Sequence, residues 1–384
     1  MDGGSRVRIV GVFLVVITAF ALSAPAADAS GWLNPPPQPA SGPGGSEYAY
    51  DCARQTGYGS GALSYQLFEP SCPRPGTDRD GPHPVTVFLH GFAATDPAVY
   101  IGWIRHLVRH GNVVVFPLFQ SGPFDFYPTD NAAYAINASL AELSRPGHVA
   151  VDVARLTIIG HSLGGGLALN MGALAGEGKL PRPANIVAVE PEFNLDPAAP
   201  GTPDPLGFVR DWSHTPASVR VTIVVGGQDD LVGDESAITA WPRLAHLPPG
   251  NRTYVQVRSD YHGPIAMVAN HFMPLSLDGI WIPGLFETNA HDFLLWAIAD
   301  SLIGCPSGAD GAACPATPTS IGSWSDGEPM RSAVVLHDGT PGRIGVTAGN
   351  AASYVFLPIF EKVRPLCPYL GSFCGTPPPV SPSR

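Results

Sequence analysis

Charge is scarce in this 384-residue chain: Asp, Glu, Lys and Arg make up 14% of it, and acidic residues outnumber basic ones 32 to 21. The net charge of -11 and the lack of any basic cluster argue against nucleic acid or an anionic membrane surface as the main partner. Past the N-terminus no apolar run reaches the roughly 20 residues that a bilayer span needs. No glycine-rich phosphate loop follows a strand, so nucleotide cofactors are not implied. The cysteines lack zinc-ligand spacing, and His271 and His291 have no histidine partner at i, i+4, which disfavours metal-assisted chemistry. No internal repeat is present, and no cofactor is expected.

Gly and Pro are abundant, at 44 and 42 residues, so the chain depends on apolar burial and loop chemistry more than on surface ion pairs. Residues 1–29 have the form of a cleaved secretory signal: Arg6 and Arg8, an apolar stretch from Ile9 to Leu22, and the small-x-small end Ala27-Asp28-Ala29. Residues 30–45 form a Pro/Gly-rich linker or arm, 46–304 the main domain, and 305–384 a cysteine-containing extension whose end, Gly375 to Arg384, has the composition of a disordered tail. Six cysteines in an exported chain read as disulfides, and their positions suggest the local pairs Cys52–Cys72, Cys305–Cys314 and Cys367–Cys374.

Between these ends the pattern alternates. Strands are expected at Val85 to Leu89, Asn112 to Phe119, up to Ile159, Asn185 to Val189, Arg220 to Val225 and Arg252 to Arg258. Helices are expected at Ala98 to His110, Thr129 to Leu143 (capped by Thr129 or Asp130), Leu163 to Ala175, Asp234 to His246 and Ala290 to Leu302. Strict alternation implies right-handed crossovers and a doubly wound, mostly parallel α/β sheet covered on both faces. Pro191 to Pro216 breaks the rhythm and suits a loop over a pocket. Met330 to Leu336 and Tyr354 to Phe360 are further strand candidates.

The chemistry centres on Gly160-His161-Ser162-Leu163-Gly164, entered from Arg155-Leu156-Thr157-Ile158-Ile159 and followed by a Gly/Ala-rich helical stretch. In that context G-x-S-x-G is a nucleophile elbow: a sharp strand-to-helix turn that exposes Ser162, with small residues on either side so that strand and helix can pass. A serine hydroxyl needs a base for its proton and donors for the oxyanion. Asp229, in the loop beyond the strand Val221 to Val225, is the expected acid, and Asp230 beside it the capping or solvent-facing alternative. His262, on the loop after the last strand, is the expected base, with His271 and His291 as downstream alternatives. The Leu163 amide is one expected oxyanion donor.

Over Val85 to Leu302 the chain resembles the α/β-hydrolase superfamily, whose triad order is Ser, acid, His. Gly226, Asp229 and Val232 are similar to the G-x-x-D-x-x-V signature of its triad aspartate, while Glu190 stands where some lipase branches carry the acid. His90-Gly91-Phe92-Ala93 is similar to the superfamily's oxyanion loop, which implies the Phe92 amide as second donor and a structural His90. The short Leu89-His90-Gly91-Phe92 loop resembles secreted esterases, lipases, cutinase-like polyester hydrolases and chlorophyllases, and the C-terminal extension has no counterpart there. The resemblance implies a secreted serine hydrolase of carboxylic esters with a small-molecule, lipid or polyester substrate. Phe92, Phe119, Phe124, Phe126, Tyr127, Phe193 and Trp212 are candidates for an apolar pocket. An acyltransferase with the same triad and a non-catalytic binding protein on this fold are the alternatives.

Overall fold

A computed structural model describes residues 33–77, 81–122, 125, 127–193, 209–264, 266–276, 289–305 and 314–343. Apolar, β-branched segments such as Val113–Pro117 and Asn185–Val189 are buried along their whole length, as strands covered on both faces must be. In chain order the elements are β1 (Tyr50–Tyr58), β2 (Tyr65–Pro73), β3 (His83–Leu89), α1 (Ile101–Arg109), β4 (Val113–Pro117), α2 (Pro128–Leu143), β5 (Val151–His161), α3 (Leu163–Gly176), β6 (Asn185–Val189), β7 (Arg220–Gly226), α4 (Glu235–Arg243), β8 (Arg252–Val257), α5 (Asn289–Ile303) and β9 (Val334–Leu336). They build one sheet in the order β1-β2-β4-β3-β5-β6-β7-β8-β9.

The centre of the sheet, from β4 through β3, β5, β6 and β7 to β8, is parallel. Its edges are antiparallel: β1 and β2 form a hairpin that joins β4, and β9 pairs with β8. Strand periodicity sends Val85, Val87 and Leu89 of β3 into one core, with Ile136, Leu167 and Trp241. Phe88 enters the other, with Trp103, Leu107 and Leu295. No described helix is long and apolar enough to cross a membrane.

Several boundaries differ from the sequence expectation. The helix expected from Ala98 starts as a 3₁₀ turn at Pro97–Tyr100, where the Asp96 carboxylate accepts from the Ala98 amide at 2.9 Å. Neither Thr129 nor Asp130 caps α2. Pro128 occupies the first turn, since it needs no amide donor there. The buried Thr129 hydroxyl accepts from Asn170 at 3.0 Å, and Asp130 pairs with Arg210 at 2.7 Å.

Cys52 is bridged to Cys72 across the hairpin, and Cys305 to Cys314. Residues 33–49 lie against α1 and α5. Gln38 donates to the Tyr48 hydroxyl at 2.9 Å, and the Gly44 amide donates to Asp300 at 2.8 Å. Residues 314–343 dock on the β8 edge, where Trp324 Nε1 donates to Asp260 at 3.0 Å and Arg252 pairs with Asp338 at 2.7 Å. The expected signal segment 1–29, Phe124, Phe126, the strand candidate Tyr354 to Phe360, the expected pair Cys367–Cys374 and the tail from Gly375 lie outside the described residues.

Candidate active site

β5 ends at His161 and α3 begins at Leu163, leaving one residue for the reversal. That residue is Ser162, at φ 55° and ψ -122°, a region L side chains rarely occupy and which persists only where the surroundings enforce it. Its amide donates to Val189 O at 2.9 Å, and its carbonyl accepts from Gly166 at 3.1 Å and Glu192 at 2.9 Å. The glycines on either side have a steric reason. A Cβ on Gly160 would strike the Gly164 carbonyl, and one on Gly164 would strike the carbonyls of Leu89 and His90.

Ser162 Oγ lies 3.0 Å from His271 Nε2, and His271 Nδ1 lies 2.8 Å from Asp229 Oδ2. Asp229 follows β7 in a tight turn. Its other carboxylate oxygen accepts the amides of Leu231 and Val232, each at 3.0 Å, which fixes the carboxylate on the His271 side. Asp229 is fully buried and Asp230 is exposed. A carboxylate only accepts, so His271 carries its proton on Nδ1 and presents a lone pair at Nε2 to the serine hydroxyl.

The histidine beside Ser162 is thus His271, and His262 is elsewhere. His262 Nε2 bonds Asp326 at 2.7 Å on the exposed side of the loop, and that hydrogen bond raises its pKa above the ordinary value. The displacement follows from the path of the chain after β8. Asp260 and Met267 pair as an isolated antiparallel bridge, so the segment carrying His262 is a surface turn. The returning strand then docks, with Gln228 N donating to Ala269 O at 2.8 Å and Ala269 N to Ser259 Oγ at 2.9 Å, and this carries His271 over the serine. Among the other candidates, His291 is fully buried on α5, where burial holds its pKa down to about 4.

Glu190 adds a second carboxyl at the end of β6. Its Oε2 lies 3.7 Å from His271 Nδ1 and 3.4 Å from His161 Nε2, farther from the imidazole than Asp229. It is fully buried, and its backbone sits at φ 46°. Burial first, and the adjacent Asp229 charge second, push its pKa well up, so the neutral acid is favoured.

The loop after β3 approaches the serine from the other side. A Cβ on Gly91 would come within 3.4 Å of Ser162 Cβ. His90 is buried, stacked on Phe119 at 4.0 Å, and donates from Nδ1 to Gly91 O at 2.6 Å; burial lowers its pKa to about 4. Phe92 is half-buried, and Ala93, at φ 60°, donates its amide to Gln120 at 3.2 Å. Leu163 occupies the first turn of α3, where amides have no acceptor within the helix. Phe119 and Trp212 are core residues, with the Trp212 indole donating to Asn170 at 2.9 Å, whereas Tyr127 is exposed and Phe193 half-buried.

Two groups of described residues have metal-competent atoms within 4.8 Å of one another: His161, Glu190 and His271, and His106, His110 and Asp300. The second is a hydrogen-bonded staple between α1, α5 and the 33–49 arm, with His106 Nε2 on Asp300 at 2.8 Å and His110 Nε2 on Gly45 O at 2.9 Å.

A search of curated proteins returns no match. Residues 71–228 match the family model Chlorophyllase, which belongs to the α/β-hydrolase superfamily; the match includes Phe92, Ser162 and Leu163 and stops one residue before Asp229. With the elbow on β5, the carboxylate after β7 and the histidine after β8 on a mostly parallel sheet, the architecture is of the α/β-hydrolase type, and over residues 71–228 the chain is similar to the Chlorophyllase family.

Proposed function

We propose that this protein is an exported serine hydrolase of carboxylic esters, with Ser162 as nucleophile, His271 as general base and Asp229 as its orienting acid. The observation that carries the reading is the continuous line of two buried hydrogen bonds, Ser162 to His271 to Asp229, at 3.0 and 2.8 Å. The Chlorophyllase match supports ester hydrolysis as the reaction class.

In this reading His271 Nε2 takes the Ser162 proton as Oγ bonds to the ester carbonyl carbon, and the electron pair moves to the carbonyl oxygen. The amides of Phe92 and Leu163 are the donors for that oxyanion. The imidazolium, stabilised by Asp229, returns the proton to the departing alkoxide, which leaves as alcohol. Water then attacks the acyl-serine by the same proton route in reverse and releases the carboxylic acid. Export is supported by the basic, apolar, small-residue order of the first 29 residues and by the Cys52–Cys72 bridge, which an oxidising compartment maintains. N-terminal sequencing of protein recovered from the medium should begin at Ser30.

The test is labelling with a fluorophosphonate together with hydrolysis of p-nitrophenyl esters of increasing acyl length. Wild type should label once and turn over, and Ser162→Ala should do neither while keeping its circular dichroism spectrum. Undiminished turnover by Ser162→Ala would overturn the reading.

A further inference from the structure

Three more buried hydrogen bonds run from the oxyanion loop to the base. Gly91 N–H donates to Tyr100 Oη at 2.9 Å, Tyr100 Oη lies 2.9 Å from His161 Nδ1, and His161 Nε2 lies 3.0 Å from the backbone carbonyl of His271. The end groups determine the polarity of every link. A carbonyl only accepts, so His161 Nε2 carries the proton; Nδ1 of the neutral ring must then accept, so the tyrosine hydroxyl donates to it; an amide only donates, so the tyrosine oxygen accepts from Gly91. Each donor and acceptor in the chain is satisfied in one tautomer only.

We propose that Tyr100 and His161 are positioning residues that hold the His271 main chain and the Gly91 oxyanion loop in one frame, so that base and oxyanion donors stay in register across Ser162. The inference rests on the serine-hydrolase reading and deepens it. His271 needs such a support because it stands on a loop: between β8 and α5 the described chain has only the Asp260–Met267 bridge and tight turns. The Gly91 side is equally tight, since a Cβ there would lie 3.2 Å from both His161 Nδ1 and Tyr100 Oη. Burial keeps His161 neutral by lowering its pKa, as the tautomer requires. Both rings are rigidly seated: Tyr100 is fully buried against Phe88, with ring centroids 4.9 Å apart, and His161 packs at 4.7 Å from the His271 ring. A displacement of about 1 Å at a catalytic group is enough to cost on the order of 10²-fold in rate.

The decisive variant is Tyr100→Phe, which keeps the ring and removes only the central hydroxyl. Its kcat should fall about 10- to 100-fold with KM within about threefold, because the base moves and the substrate walls do not. His161→Ala should lose as much or more, and His161→Gln, whose amide NH₂ reaches the place of Nε2, should recover part of kcat. The rate of fluorophosphonate labelling should fall in parallel in Tyr100→Phe. Full kcat in Tyr100→Phe, or a drop in melting temperature with kcat unchanged, overturns the proposal even if His161→Ala fails to fold. Ser162→Ala run alongside separates the two ideas: if it stays active the serine reading fails, whereas an inactive Ser162→Ala with a fully active Tyr100→Phe defeats the positioning proposal alone.

Discussion

Replacing His271 by Ala is the sharpest perturbation available, because it separates two histidines nine residues apart in the chain that the structure places in different surroundings, one beside Ser162 and one beside Asp326. The change removes the acceptor 3.0 Å from Ser162 Oγ and the donor to Asp229, leaving the serine proton without a base. Loss of a triad histidine leaves only oxyanion stabilisation and binding, so kcat should fall by about 10⁴-fold or more, equivalent to about 5 kcal/mol of barrier. The loop should survive: the Gln228–Ala269, Ala269–Ser259 and Met273–Asn270 bonds do not use the imidazole. His262→Ala removes an exposed contact to Asp326, and kcat should stay within about twofold, as is usual for a surface pair. The assay is initial-rate hydrolysis of p-nitrophenyl butyrate with both proteins checked by circular dichroism. A silent His271→Ala, or a His262→Ala that is dead while folded, would refute the assignment of the base and the chain path it rests on.

Asp229→Asn should cost about 10⁴-fold in kcat through the wrong imidazole tautomer, while Glu190→Gln, an isostere of the neutral acid, should stay within about tenfold; the reverse ranking in the same assay would make Glu190 the triad acid. Because the folded pKa of Glu190 is raised, its contribution to stability is present below about pH 4 and lost as pH rises toward the folded value, so Glu190→Gln should gain on wild type in urea melts between pH 4 and pH 7.5. Burial would raise the Asp300 pKa, but its bond to His106 and the Gly44 amide outweigh burial and leave it low. The stability from Asp300 is therefore complete above about pH 4 and fades below it, and the deficit of Asp300→Asn in thermal melts should shrink as pH falls through that range. Gly164→Ala should destabilise by about 2 to 3 kcal/mol or prevent folding, since its methyl meets the backbone of Leu89 and His90; a wild-type melting temperature would refute the close-packed elbow. Cys52→Ser/Cys72→Ser should cost about 3 kcal/mol in urea unfolding, the value for a loop of this length.

What was legible in the sequence is what local chemistry encodes. A run of β-branched residues, a single residue of reversal and glycines where backbones touch are all demands on neighbouring residues, so the elbow at Ser162 and the strands flanking it stand out. Asp229 is legible for a related reason: its carboxylate closes a turn on the amides of Leu231 and Val232, and that turn follows β7 directly. The antiparallel hairpin escaped because β1 is an edge strand with most side chains in solvent, which leaves no alternation to read.

Which histidine meets Ser162 was decided by tertiary structure. An imidazole places no demand on its own backbone, so Tyr261-His262-Gly263 and Asn270-His271-Phe272 are equivalent as text. Only the return of the chain at the Asp260–Met267 bridge and its docking on Gln228 bring one of them to Ser162. The same holds for the charge state of Glu190, which depends on the complete exclusion of water and on Asp229 arriving from another strand. Tyr100 and His161 likewise acquire their partners across 61 residues of chain, and 110 separate His161 from His271. Contacts at such separations follow from how the sheet and its loops close, and no local pattern of residues records them.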